Sequence, residues 1–257
     1  MENRLDMTGK VAIVTGGGKG VGIGITRRFL EAGADVVICG RGEPESLPSA
    51  GQKQAIFTSV DVKNVLQIEA CVNFTVEKFG RLDVLVNNAG GAPMADAATV
   101  SPRFSESIIK LNLIAPLNFS QAANAVMQTQ EGGGSIINIA SVSMIRPSPG
   151  TAAYGAAKAG LVNLATSLAI EWAPKVRMNA VISGMVLTEQ AYLHYGDNES
   201  IAAVANTIPL NRLATPEDIG DACLFLASPL SSYMSGGSIT VHGGGEKPTF
   251  SDASNAY

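Results

Sequence analysis

An apolar run, VAIVT at residues 11–15, passes directly into the glycine-rich stretch TGGGKGVGIG. Apolar residues without alternation read as a strand buried on both faces, as in a parallel sheet covered by helices. A helical pattern follows from about Gly20 to Ala32, and a second strand spans Asp35 to Cys39. The rhythm continues through AIFTSV, a helix from about Asn64 to Phe79, LDVLVNN, and a long helix from Ser105 to about Gln130. SIINIA, a helix opening at Thr151, VRMNAVI, a helix from Pro216 to Ala227 and SITVH complete it. This alternation predicts an α/β chain with a parallel sheet covered on both faces, in one domain spanning 1–257. Pro116 either kinks the long helix or sits where its missing N–H is tolerated. Residues 42–54 are polar and Pro/Ser-rich and are expected to be an irregular loop. Residues 185–208, mixed polar and aromatic, are expected to form a lid.

The glycine turn has a chemical use. Glycines permit tight backbone angles and let a phosphate approach the N–H groups at a helix N-terminus. Gly16, Gly20 and Gly22 fit G-x-x-x-G-x-G. The G-x-G-x-x-G spacing is not met, because Ile23 and Ile25 stand where its third glycine would fall. An acid at the end of the second strand would bond the ribose 2′-OH of NAD, but here the chain reads Cys39-Gly40-Arg41. Arg41 offers a fork of donors suited to a 2′-phosphate, and Lys19 could approach the same group, although Glu43 lies close enough to blunt Arg41. NADP(H) is therefore favoured over NAD(H).

A second constellation lies in SVSMIRPSPGTAAYGAAK, residues 141–158. Tyr154 and Lys158 are four apart in a helical pattern with Thr151 as candidate N-cap, so both project from one face about a turn apart. A free phenol, with a pKa of about 10, exchanges protons poorly near neutrality. A neighbouring ammonium is expected to lower that pKa and make the tyrosine a usable acid or base.

Composition narrows the function further. Hydrophobic residues are 46% and charged residues 16%, and the net charge of −4 gives no basic excess for nucleic acid. Cys39, Cys71 and Cys223 form no C-x-x-C and read as buried small hydrophobes. Two histidines without ligand spacing predict no metal site, and His194 and His242 read as non-catalytic. A polar N-terminus and the lack of any apolar run near 18 residues predict a soluble, cytoplasmic protein with no membrane partner.

With the glycine turn, Asn87-Asn88-Ala89-Gly90, Ser141, Tyr154 and Lys158 in this order, the sequence resembles the short-chain dehydrogenase/reductase family from about residue 8 to 245. Its nearest general likeness is to 3-oxoacyl-carrier-protein reductases and their ketone-reducing relatives. The resemblance implies a single-domain Rossmann-type doubly wound sheet and hydride transfer between nicotinamide and a carbonyl or secondary alcohol. A 3-oxoacyl thioester is the leading substrate, with a steroid or cyclic ketone as the alternative. It implies Tyr154 as general acid or base, with Lys158 lowering its pKa and holding the nicotinamide ribose. Ser141 would hold the substrate oxygen, and Asn112 would position a proton-relaying water. Gly16, Lys19, Gly20, Val21 and Gly22 would bind the cofactor with Arg41. Asp61 and Val62 would take its adenine, and Asn88, Ala89 and Gly90 would lie under a ribose. Gly184 and Thr188 would hold the nicotinamide side. The family usually has Pro-Gly where this chain has Ser183-Gly184, and aspartate is common where it has His242. The resemblance also implies a dimer or tetramer. Two other readings of the residues are a non-catalytic NADP-binding regulator and a sugar-nucleotide epimerase or dehydratase.

Overall fold

A computed structural model describes residues 3–246, 248, 250 and 253. Its frame is a seven-stranded parallel sheet in the order β5-β2-β1-β6-β7-β8-β9. The strands are β1 (Val11–Thr15), β2 (Asp35–Gly40), β5 (Ile56–Ser59), β6 (Val84–Asn87), β7 (Gly134–Ser141), β8 (Val176–Ser183) and β9 (Ser238–Val241). A separate two-residue hairpin, β3 (Ser49–Ala50) and β4 (Lys53–Gln54), occupies the segment expected to be irregular. The order reverses between β1 and β6, and such switch points are where open α/β sheets bind ligands.

Two-residue periodicity divides the apolar side chains between two layers. Ala12, Val14, Val84, Val86, Ile137 and Val181 face α1 (Gly20–Glu31) and α8 (Pro216–Ala227). Ile13, Val37, Leu85, Ile136 and Met178 face α2 (Val65–Phe79), α4 (Ala115–Met127) and α5 (Ala152–Glu171). The chain is therefore doubly wound, as the alternation of elements predicts. Gly24 and Gly220 let α1 and α8 meet closely. A Cβ on Gly24 would stand 2.2 Å from the Pro216 carbonyl carbon, and one on Gly220 2.8 Å from the Gly24 carbonyl oxygen.

The long helix differs from expectation. Ser101 caps α3 (Pro102–Ile109) by accepting a hydrogen bond from the Phe104 N–H, with Pro102 in the first turn. A π-helical turn over Lys110–Ile114 then separates α3 from α4. Pro116 has no N–H to give the carbonyl four residues back, at Asn112, so the ladder is interrupted there and widens. The expected lid contains two short helices, α6 (Tyr192–Tyr195) and α7 (Asn198–Asn206), the second capped by Asp197 on the Ser200 N–H. Among the described residues no helix is long and apolar enough to cross a membrane.

Candidate active site

All the parallel strands end on one edge of the sheet, and the candidate residues follow those ends. Gly16 follows β1, Arg41 follows β2, Asp61 lies two residues beyond β5, Asn88 follows β6, Ser141 ends β7 and Gly184 follows β8. Ser141 and Ser183 are register partners on β7 and β8.

At the switch point the turns after β1 and β6 are tied together. The Asn88 side-chain amide donates to the Thr15 carbonyl at 2.9 Å, and the backbone N–H groups of Asn88 and Ala89 both donate to Thr15 Oγ1 at 2.9 Å. Gly16 adopts φ +65°, and a Cβ on Gly22 would fall 2.1 Å from the Gly16 carbonyl oxygen, so both positions require glycine for the turn itself. Gly20, at φ +54°, has open space where a side chain would stand, and its N–H donates to an anion. That anion is the Glu189 carboxylate, whose oxygens lie 2.9 and 3.2 Å from the Gly20 nitrogen. The start of α1 thus presents an N–H that donates to an anion, chemistry that fits a dinucleotide pyrophosphate once Glu189 gives way. Val21 lies in the first turn of α1 and packs against the α1–α8 core layer.

Val62 and Ala89 border one small packing gap with Thr15, Asn87 and Phe119, which is too narrow to hold a ligand. Asp61 spends one carboxylate oxygen on the Lys63 N–H at 3.0 Å. Lys19 and Arg41 are exposed, and the ion pairs among the described residues include neither of them, nor Glu43. Both cations are therefore available to a ligand, and Glu43 does not neutralise Arg41 by direct pairing.

Lys158 and Asn112 converge under Gly90. A Cβ on Gly90 would lie 2.6 Å from Asn112 Oδ1 and 3.2 Å from Lys158 Nζ. Asn112 is fully buried in the π-helical turn. Its amide donates to the carbonyls of Gly91 and Ile108, and its oxygen accepts the Gly91 N–H at 2.9 Å. Lys158 Nζ donates to the Ile139 carbonyl at 2.7 Å and stands 5.6 Å from the centre of the Tyr154 ring. Burial pulls the Lys158 pKa down to about 8.

Tyr154 departs from the sequence-based expectation. Burial raises its pKa above 10, and its hydrogen bond with Ser141 only partly opposes this. Lys158 is not among the groups that lower it; its ammonium donates to the Ile139 carbonyl and stands over the ring face. Ser141 also accepts the Ser143 N–H at 3.2 Å. Thr151 occupies the N-cap position of α5 without capping it, since its hydroxyl is 2.6 Å from the Ser148 hydroxyl instead.

On the nicotinamide side, Gly184 donates to the Val241 carbonyl at 2.8 Å, and a Cβ there would approach His242 within 2.7 Å. Thr188 Oγ1 accepts the Gln190 N–H at 3.3 Å. His194 is exposed, the three cysteines are free and buried, and no metal-holding cluster occurs among the described residues. Sequence reasoning missed Glu189, whose contact crosses 169 residues, and Thr15, whose hydroxyl organises the switch point. Tyr195, in the segment expected to form the lid, is half-buried, and burial raises its pKa, with the charge of a neighbouring Tyr154 phenolate acting in the same direction.

The chain is similar over most of its length to known oxidoreductases. A family model described as enoyl-(acyl carrier protein) reductase matches residues 16–246. The chain is 38% identical over 247 residues to a 3-oxoacyl-(acyl-carrier-protein) reductase of Chlamydia pneumoniae, covering 93% of this chain and 98% of that protein. It is 36% identical over 242 residues to a 3alpha-hydroxysteroid dehydrogenase of Mediterraneibacter gnavus, covering 91% and 96%. The crystal structure of a short chain dehydrogenase from Bacillus anthracis superposes with a TM-score of 0.82 at 32% identity, covering 93% and 97%.

Proposed function

The chain belongs to the short-chain dehydrogenase/reductase family, oxidoreductases acting on CH–OH and C=O groups, and we propose that it reduces a carbonyl with NADPH. When bound, the nicotinamide cofactor supplies the hydride. Every other task falls to the chain. Ser141 holds the substrate oxygen beside the Tyr154 phenol. Burial raises that phenol's pKa, which keeps it protonated but weakens it as an acid, so its donation to the developing alkoxide rests on its position beside the substrate oxygen. Lys158, fixed by Ile139 and backed by Asn112 under Gly90, holds the nicotinamide ribose hydroxyls. Gly184 and Thr188 support the nicotinamide side. The start of α1 takes the pyrophosphate, and Asp61, Val62, Asn88 and Ala89 flank the adenosine. The observation that carries this reading is the convergence of Ser141, Tyr154, Lys158 and Asn112 at the sheet edge that also carries the glycine turn.

Preference for NADP(H) rests on Arg41 and Lys19, exposed and unpaired among the described residues. The exposed apolar side chains Met94, Ile145, Leu187, Tyr192 and Leu193 suit a carbonyl on an apolar skeleton, either a 3-oxoacyl thioester or a cyclic ketone. Exposed Ile114 on the π-helical turn and Ile170 on α5 offer apolar surface for a homo-oligomer. The test is fluorescence titration of NADPH and NADH against the wild type and Arg41→Ala. The wild type is expected to bind NADPH more tightly, and the substitution to erase the difference. Equal or tighter binding of NADH by the wild type would refute the 2′-phosphate assignment.

A further inference from the structure

Glu189 is attached to the lid, not to α1, yet its carboxylate accepts the first N–H of α1 through both oxygens, at 2.9 and 3.2 Å. A pyrophosphate approaching this glycine turn needs the same N–H. One N–H cannot serve two anions, and a carboxylate left in place would repel the incoming phosphates. We propose that Glu189 is an affinity-setting residue of the cofactor site: an internal anion that a dinucleotide must displace, so that binding moves the lid. The inference rests on the dinucleotide site described above.

The backbone shows where the movement is confined. Before Glu189 the chain is pinned to the body of the protein, since Leu187 donates to the Ala214 carbonyl at 2.8 Å and Ala214 to the Met185 carbonyl at 2.9 Å. After it, Thr188, Gln190 and Ala191 form a tight turn, with Ala191 donating to the Thr188 carbonyl at 3.0 Å, which leads into α6. Between pin and turn, the bond from Glu189 to Gly20 crosses from the lid to α1. Releasing it frees Thr188, the adjacent residue, to reach the nicotinamide side. Tyr195, four residues into the same segment as Ala191, moves with it.

The experiment titrates NADPH into the wild type, Glu189→Gln, Glu189→Ala and the control Glu199→Gln, which removes a lid carboxylate located on α7. An anion on a helix N-terminus contributes about 0.3–1 kcal/mol, and removing its repulsion adds to this, so Glu189→Gln and Glu189→Ala should tighten NADPH about three- to tenfold. Glu199→Gln should leave affinity unchanged. Amide hydrogen exchange over residues 188–191 supplies a second readout. It should be faster in Glu189→Ala than in the wild type without cofactor, and slow in both once NADPH holds Thr188. Unchanged or weaker NADPH binding by both Glu189 variants, or equal tightening by Glu199→Gln, would overturn the proposal while leaving the cofactor assignment intact. A wild type that binds neither NADPH nor NADH would overturn both.

Discussion

Lys158 is a buried ammonium, and its burial should be measurable as a pH-dependent stability difference. Its pKa falls from 10.5 to about 8 on folding. The unfolded chain then binds more protons than the folded one between those values, so this group makes stability rise with pH across that window. Below pH 8 the full cost of burying the charge applies, about 3 kcal/mol by linkage. Between pH 7 and about 9.5 roughly 2 kcal/mol of it is relieved. The hydrogen bond to the Ile139 carbonyl favours the ammonium, so these figures are upper values. Buried Cys39, Cys223 and Tyr154 have raised pKa values and act in the opposite sense at high pH, so the wild type alone would mislead. The difference between wild type and Lys158→Met cancels them. Urea unfolding at pH 7 and 9.5 should show the variant gaining stability relative to wild type at pH 7, with the advantage shrinking by up to about 2 kcal/mol at the higher pH. A difference that stays flat would place the folded-state pKa at its unfolded value and refute the burial argument.

Gly24→Ala should destabilise the protein by about 1–3 kcal/mol in chemical denaturation, because the new methyl group meets Pro216 backbone at 2.2 Å and outweighs the helix-propensity gain of about 1 kcal/mol. A net gain in stability would show that α1 and α8 separate freely. Asp83 is pushed up by burial, but hydrogen bonds from Arg81 and the Val11 N–H, with the Lys10 charge, hold its pKa below 3.8. Its contribution is present above that value and lost as pH falls through the folded-state pKa. Asp83→Asn should therefore cost about 1–2 kcal/mol at pH 7 and flatten the wild type's loss of stability below pH 4.

The parallel sheet was legible because each strand is an unbroken apolar run stopped by a turn signal, and each helix follows at once. The candidate site was legible for a related reason. Parallel strands end on one edge, so residues placed just after strands, such as Asn88 and Ser141, must gather there. The start of α3 was written in Ser101-Pro102, a cap followed by a proline, although periodicity alone placed it at Ser105. The β3–β4 hairpin left no trace because two-residue strands have no period to detect. What sequence could not supply were contacts between distant segments. Glu189 meeting Gly20 and Lys158 turning to Ile139 depend on tertiary approach. Burial of Tyr154, equally a product of tertiary packing, set its pKa in the direction opposite to the expected one.

The claim that matters most is that Tyr154 delivers the proton. NADPH consumption should be followed by absorbance with a 3-oxoacyl thioester (acetoacetyl-coenzyme A) and a cyclic ketone (cyclohexanone), for wild type and Tyr154→Phe, alongside NADPH titration of both. The account predicts turnover by the wild type, and a loss of about 10²–10⁴-fold in the variant with NADPH affinity kept. Wild-type turnover by Tyr154→Phe would contradict it.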